Sequence, residues 1–174
     1  MSSILKSTPS IGGNMSYEPR PGDYGVVKTN GFFGKLIRLG TMSRWNHTFI
    51  YLGDGLIVQA NPTGVAIGKV SQYPVIGWNQ HENLTDEQRG LIVEAAKKLV
   101  DRPYGFLDIA NLVLRILGLK MFANTALLEK MAERYGVICS ELVALSYDAA
   151  KVDLCNKPAN VVTPGDLAER LIYQ

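Results

Sequence analysis

His47-Thr48-Phe49-Ile50-Tyr51-Leu52-Gly53-Asp54-Gly55-Leu56-Ile57-Val58-Gln59-Ala60 reads as two strands around a turn. Gly53-Asp54-Gly55 interrupts a run of aromatic and β-branched residues, which is a strong hairpin signal. Side chains alternate along a strand, so His47, Phe49 and Tyr51 share one face and Thr48, Ile50 and Leu52 the other. Which residues join them from the second strand depends on the loop. With a two-residue Asp54-Gly55 loop, Leu52 faces Ile57 and Gln59 points to the face opposite His47. With all three residues in the loop, Leu52 faces Leu56, and His47 shares a face with Gln59 and Asn61. The spacing leaves both registers open.

Working outward, short strands are expected at 24–28, 65–70 and 74–78, with a short helix at 32–39 ending at Gly40. Thr85-Asp86-Glu87-Gln88 has the form of a capping box and opens a helix running to about Val100. Helices are expected at 107–117, 123–134 and 139–151, the last beginning at Cys139. Thr163-Pro164-Gly165-Asp166 opens a short final one. Strands cluster in the first half and helices in the second, an α+β pattern rather than alternating βαβ units. Residues 1–20, rich in Ser, Gly and Pro, read as a flexible arm before a domain spanning 21–174.

The composition narrows the classes. The chain has 174 residues, 47% hydrophobic and 20% charged, a profile of one globular domain and not of disorder, collagen or coiled coil. Eighteen Lys and Arg against 16 Asp and Glu leave a net charge of +2, which gives no basic footprint for nucleic acid. Two cysteines 16 residues apart, Cys139 and Cys155, make neither a disulfide framework nor a zinc pair and fit a reducing compartment. The first 20 residues lack the apolar core of a secretory signal. The apolar stretch 105–122 is broken by Asp108, Asn111, Arg115 and Lys120, which argues against a spanning helix.

Three residue types stand out for chemistry. Cys139 lies at a helix start, where the partial positive charge and free N–H groups favour a thiolate and can hold an oxyanion. Its alternative reading is a small buried hydrophobe. Of the two histidines, His47 sits on a rigid strand, a good mount for a general base; His81 lies in a polar connection and reads as a solvated loop residue. Gln59 and Asn61 are both candidates for the group that orients the imidazole, since an amide oxygen accepts from a ring N–H. Cys155 reads as structural or incidental. Trp45, Tyr51, Tyr73 and Trp78 are aromatic candidates for a groove or for the core.

Together these elements resemble a known superfamily. The 47–60 stretch resembles the His-strand and following strand of NlpC-type cell-wall peptidases and of the lecithin:retinol acyltransferase-like proteins, with the same 12-residue gap from His to a polar residue. Tyr135 to Val143 resembles the Cys-Ser-x-Leu-Val helix start that carries the nucleophile, and Arg102-Pro103-Tyr104-Gly105 the Pro-Tyr segment ahead of it. Pro21-Gly22-Asp23 and Thr163-Pro164-Gly165-Asp166-Leu167 resemble further landmarks of the group. Because His47 precedes Cys139, the order matches the circularly permuted, YiiX-like branch. Position 59 is Gln where relatives often carry His or Glu.

The resemblance implies a permuted papain-like (NlpC-type) domain, with a small antiparallel sheet packed against a helical half and the nucleophile at a helix N-terminus. It implies Cys139 as nucleophile, His47 as base, Gln59 or Asn61 as orienter, and Tyr104 beside the oxyanion. Residues 106–134 stand outside it as an inserted helical pair. The first of these helices, 107–119, is apolar almost all round and reads as a core helix with a lid over the cleft, or as a surface for a protein partner or membrane. The implied function is a cysteine hydrolase that cleaves an amide through an acyl-enzyme, with a peptidoglycan peptide as substrate and neither metal nor organic cofactor. Two alternatives are a lipid ester or N-acyl hydrolase or acyltransferase, and a weakly active docking part of a larger assembly such as a phage tail. On the wall reading the chain is made in the cytoplasm and reaches the wall by lysis, injection or a virion.

Overall fold

A computed structural model of the protein describes residues 17–30, 43, 45–79, 83–105 and 137–172. The expected helices at 32–39, 107–117 and 123–134, residues 1–16 of the arm, and His81 lie outside the described residues. What is described is an α+β arrangement. Five strands, β1 (Tyr24–Val27), β2 (His47–Gly53), β3 (Leu56–Asn61), β4 (Gly64–Lys69) and β5 (Gly77–Trp78), form one antiparallel sheet in the order β4-β3-β2-β1-β5. The described α-helices are α1 (Asp86–Lys98), α2 (Cys139–Ala149) and α3 (Pro164–Ile172).

The sheet buries both faces, and strand alternation sorts the side chains. Tyr24, Val26, Ile50, Val58 and Ala60 face the helices and form the main core with Ile92 and Ala96 of α1 and Leu142, Val143 and Tyr147 of α2. Val27, Phe49 and Ile57 face the other way into a smaller cluster, closed by Tyr73, Ile76 and Trp78 from the segment after β4. Phe49 is the centre of that cluster. It stacks on Tyr73 at 5.4 Å between ring centroids and meets Trp78 edge-on at 5.6 Å. Its room comes from Gly25, where an added Cβ would lie 2.4 Å from the Phe49 ring and 2.9 Å from Ile76. Gly25→Ala is therefore expected to destabilise the fold by about 1–3 kcal/mol through overpacking, read as a lower Tm with unchanged secondary structure.

Local chemistry sets the element ends. Thr85 accepts from the Gln88 N–H at 3.1 Å and its own N–H donates back to Gln88 Oε1 at 3.0 Å, the expected capping box of α1. That helix stops at Lys98 because Leu99 to Arg102 turn, with Asp101 in the left-handed region at φ 69°. Lys151, with φ 58°, likewise ends α2 before the expected 151. Of the expected strand at 74–78 only Gly77 and Trp78 pair. Val70–Gln72 wind into a 3₁₀ turn, and Pro74 has no N–H for a ladder.

The 53–55 turn settles the register in a way that combines both sequence alternatives. Gly53 pairs with Leu56, so the loop is the two residues Asp54 and Gly55, both at positive φ (51° and 73°). Between Tyr51↔Ile57 and Gly53↔Leu56 the ladder carries a bulge at Leu52. The extra residue shifts the rest of the hairpin by one, giving Ile50↔Val58 and Phe49↔Gln59. The loop is that of the first alternative and the register that of the second.

The Pro21-Gly22-Asp23 turn ties β1 to the helices. Arg89 of α1 donates to Asp23 Oδ1 at 2.8 Å and to the Pro21 carbonyl at 3.1 Å, and Tyr147 Oη of α2 donates to the Gly22 carbonyl at 2.9 Å. Asp23 Oδ2 also accepts from Tyr17 Oη at 2.6 Å and the Arg20 N–H at 2.7 Å. This carboxylate is fully buried and fully satisfied.

Candidate active site

Cys139 is the first residue of α2, and the chain entering it is pinned. Val137 N–H donates to the Pro103 carbonyl at 3.1 Å and its carbonyl accepts from Gly105 N–H at 3.3 Å. The 102–105 segment is tied in turn to β4, where Val65 N–H donates to the Arg102 carbonyl at 2.9 Å. Glu141 reaches back to accept from the Ile138 N–H at 3.3 Å, while the Ile138 side chain offers no cap. Behind the cysteine, Ser140 Oγ donates to the Val162 carbonyl at 2.6 Å and holds the helix start against the 159–162 turn. These contacts place the thiol at the junction of α2 with the sheet, 2% exposed.

The sulfur meets Thr48, the residue after His47. The β2–β3 ladder ends at Phe49↔Gln59, so Thr48 lies just beyond the last pair. The Thr48 hydroxyl is buried and makes no hydrogen bond in this structure. Its backbone and hydroxyl lie near enough to favour a negative charge on the sulfur, as do the backbones of Ser140 and Cys139 itself. Burial works against this and prevails, holding the Cys139 thiol above its ordinary pKa. The lowering expected from a helix start is thus outweighed by desolvation.

His47, 7% exposed, opens β2 and faces the smaller cluster. Its Nε2 lies 3.0 Å from Gln59 Oε1. An amide oxygen only accepts, so this contact needs the ring proton on Nε2 and leaves Nδ1 with a lone pair. Burial holds the imidazole below its ordinary pKa, offset in part by the Gln59 hydrogen bond. Burial thus favours the uncharged form of each group, raising the thiol and lowering the imidazole.

Of the two orienting candidates, Gln59 meets the imidazole, whereas Asn61 pairs with Gly64 at the far end of β3. Tyr104 forms a bridge with Val137, two residues before Cys139. Burial and then the Cys139 charge push its phenol up, as they do for Tyr73, which is raised to about 12. Both phenols therefore lie within electrostatic reach of the sulfur. Tyr51 and Trp78 pack edge-on at 5.6 Å in the smaller cluster, and Trp45 packs against the main core. Cys155 is a half-buried free thiol in the turn after α2, raised by burial and by Asp166.

Two participants escape a reading of the sequence. Thr48 looks like ordinary strand filler, and only the end of the ladder gives its N–H and hydroxyl a role. Tyr73 donates to Gln59 Oε1 at 2.5 Å, a contact across 14 residues that no periodicity announces. Among the described residues no group of three or more His, Cys, Asp or Glu side chains converges on a point that would hold a metal ion. No helix among them is long and apolar enough to cross a membrane. A comparison with protein-family models finds no match, and neither does one with curated protein sequences.

Proposed function

We propose that this chain is a cysteine hydrolase of the permuted papain-like, NlpC-type kind, acting on an amide carbonyl of a peptidoglycan peptide. The observation that carries this reading is the junction at Thr48, where the start of α2 and the start of β2 bring the thiol beside the residue following His47, while Gln59 engages Nε2. The order of the landmarks along the chain supports the same reading. Neighbouring strand residues face opposite sides, so the imidazole must reach the sulfur around the open start of β2.

In the proposed reaction Nδ1 of His47 takes the Cys139 proton as the sulfur attacks the carbonyl carbon. Backbone N–H groups at the start of α2, with Tyr104 alongside, hold the oxyanion. The imidazolium then protonates the leaving amine, and the C–N bond breaks to leave a thioester on Cys139. Water, deprotonated by His47, hydrolyses the thioester, releases the acid and restores the thiol. Thr48 steadies the sulfur whenever it carries charge.

Incubation with peptidoglycan fragments is expected to release free peptide and, on acid quench, to leave an acyl adduct on Cys139 by peptide mass spectrometry. Cys155 should stay unmodified. An adduct formed only from vesicles of a lipid ester or N-acyl lipid would move the substrate to the acyltransferase-like side. No adduct from either source, with the protein folded, would sink the hydrolase reading in favour of a docking role, to which the uncharged Gln59 and the raised thiol pKa also lend themselves.

A further inference from the structure

The Gln59 amide is held from three sides. Tyr73 Oη donates to Oε1 at 2.5 Å, His47 Nε2 lies 3.0 Å from the same oxygen, and Nε2 of Gln59 sits 2.5 Å from where a Cβ on Gly68 would fall. A glutamine in this place has a wrong way round. Flipped, it would offer its NH₂ group to Nε2 of the imidazole and move the ring proton to Nδ1, the nitrogen that must accept from Cys139. A glutamate carries no such hazard, because its two oxygens are equivalent. An amide orienter therefore needs a further group to decide which end faces the ring.

Tyr73 is placed to decide it. A phenol can donate or accept, but the contact is 2.5 Å, within the range of O–H···O hydrogen bonds and shorter than N–H···O ones, so the spacing favours the oxygen on the phenol side. The tyrosine is itself fixed, stacked on Phe49 with an interplanar angle of 7°, and with its ring 5.8 Å from the imidazole. Gly68 on β4 leaves the space that the amide nitrogen then occupies. We propose that Tyr73 is a positioning residue that sets the orientation of the Gln59 amide and, through it, the tautomer of His47. The inference rests on reading His47 as the base, but its test needs no substrate.

The full-length chain, labelled with ¹⁵N, has two histidines, and long-range ¹H–¹⁵N spectra at a pH where His47 is neutral report the tautomer of each. Wild type is expected to show His47 protonated on Nε2. Tyr73→Phe is expected to raise the Nδ1–H form about tenfold, the scale of one hydrogen bond. Adding Gln59→Glu should return the ring to the Nε2–H form, a rescue that a merely loosened core would not give. Gly68→Ala presses the amide from the opposite side and should also mix the tautomers, so the test survives if Tyr73→Phe does not fold. A wild-type ring protonated on Nδ1, or a single Nε2–H tautomer in both variants, would overturn the proposal. A chain that acylates nothing yet shows these shifts would sink the hydrolase reading alone; one that acylates Cys139 with an unmoved tautomer would sink this inference alone.

Discussion

His47→Ala is expected to slow acylation of Cys139 by about 10²–10⁴-fold at neutral pH, the usual contribution of a positioned general base, and to change the shape of the pH profile. The sign follows from the two shifts. Burial lowers the imidazole from its ordinary 6.5, so the base is already free at pH values where an exposed histidine is half protonated. Burial raises the thiol from its ordinary 9.0, so very little thiolate exists at neutral pH without help. Wild type should rise through a pKa below 6.5, run level across neutrality, and climb again only where the thiol ionises by itself. In His47→Ala the level region should vanish and the rate should follow thiolate alone, roughly tenfold per pH unit up to a pKa above 9.0. Identical profiles in the two proteins would remove His47 from the mechanism.

Arg89→Met should cost about 3–5 kcal/mol of stability, because it breaks a buried ion pair by removing one partner. The Arg89 and Asp23 side chains are 7% and 0% exposed. Removing the guanidinium strands a buried carboxylate that keeps only the Tyr17 hydroxyl and the Arg20 N–H. It also frees the Pro21 carbonyl that anchors the turn ahead of β1. For a domain of this size the loss corresponds to a Tm lower by roughly 6–20 °C. Asp23→Asn with Arg89→Met removes both charges and should recover part of it. A Tm unchanged in the single variant would mean that the pair contributes no more than an exposed one, about 0–1 kcal/mol.

Much of this architecture can be read from local chemistry. Thr85 with Gln88, and Thr163 with Pro164 and Asp166, mark helix starts because capping depends on residues within one turn of each other. The alternation in 47–52 likewise assigns its two faces correctly, since the strand period is two. Whether Gln59 and Asn61 share the face of His47 cannot be read, because it hangs on one bulged residue, Leu52, whose placement reflects how the hairpin packs on both sides and not any motif of its own. The helices expected to reach Val100 and Lys151 end at Lys98 and Ala149, where turns with residues at positive φ cut the periodic run short. The partnership of Tyr73 with Gln59 is tertiary, made by a connection that folds back over the sheet. The charge state of Cys139 was hidden for the same reason, since position at a helix start is local but burial is not.

The bulge at Leu52 is what keeps Gln59 on the imidazole's side of the sheet. Because strand faces repeat every second residue, closing the bulge with Leu52 retained and the Asp54-Gly55 loop unchanged would slide β3 by one residue and turn it over with respect to β2. The amide of Gln59 would go to the helical side, and the methyl group of Ala60 would stand opposite Phe49 in its place. Removing Leu52 itself would leave Tyr51↔Ile57, Ile50↔Val58 and Phe49↔Gln59 as they are, because the extra residue and the bulge go together. Among chains that share this hairpin, loss of that residue should thus pass as ordinary surface drift, whereas a straightened strand of the same length would exchange a hydrogen-bond acceptor for a hydrocarbon. A kink in one strand, as much as the identity of position 59, decides what His47 meets.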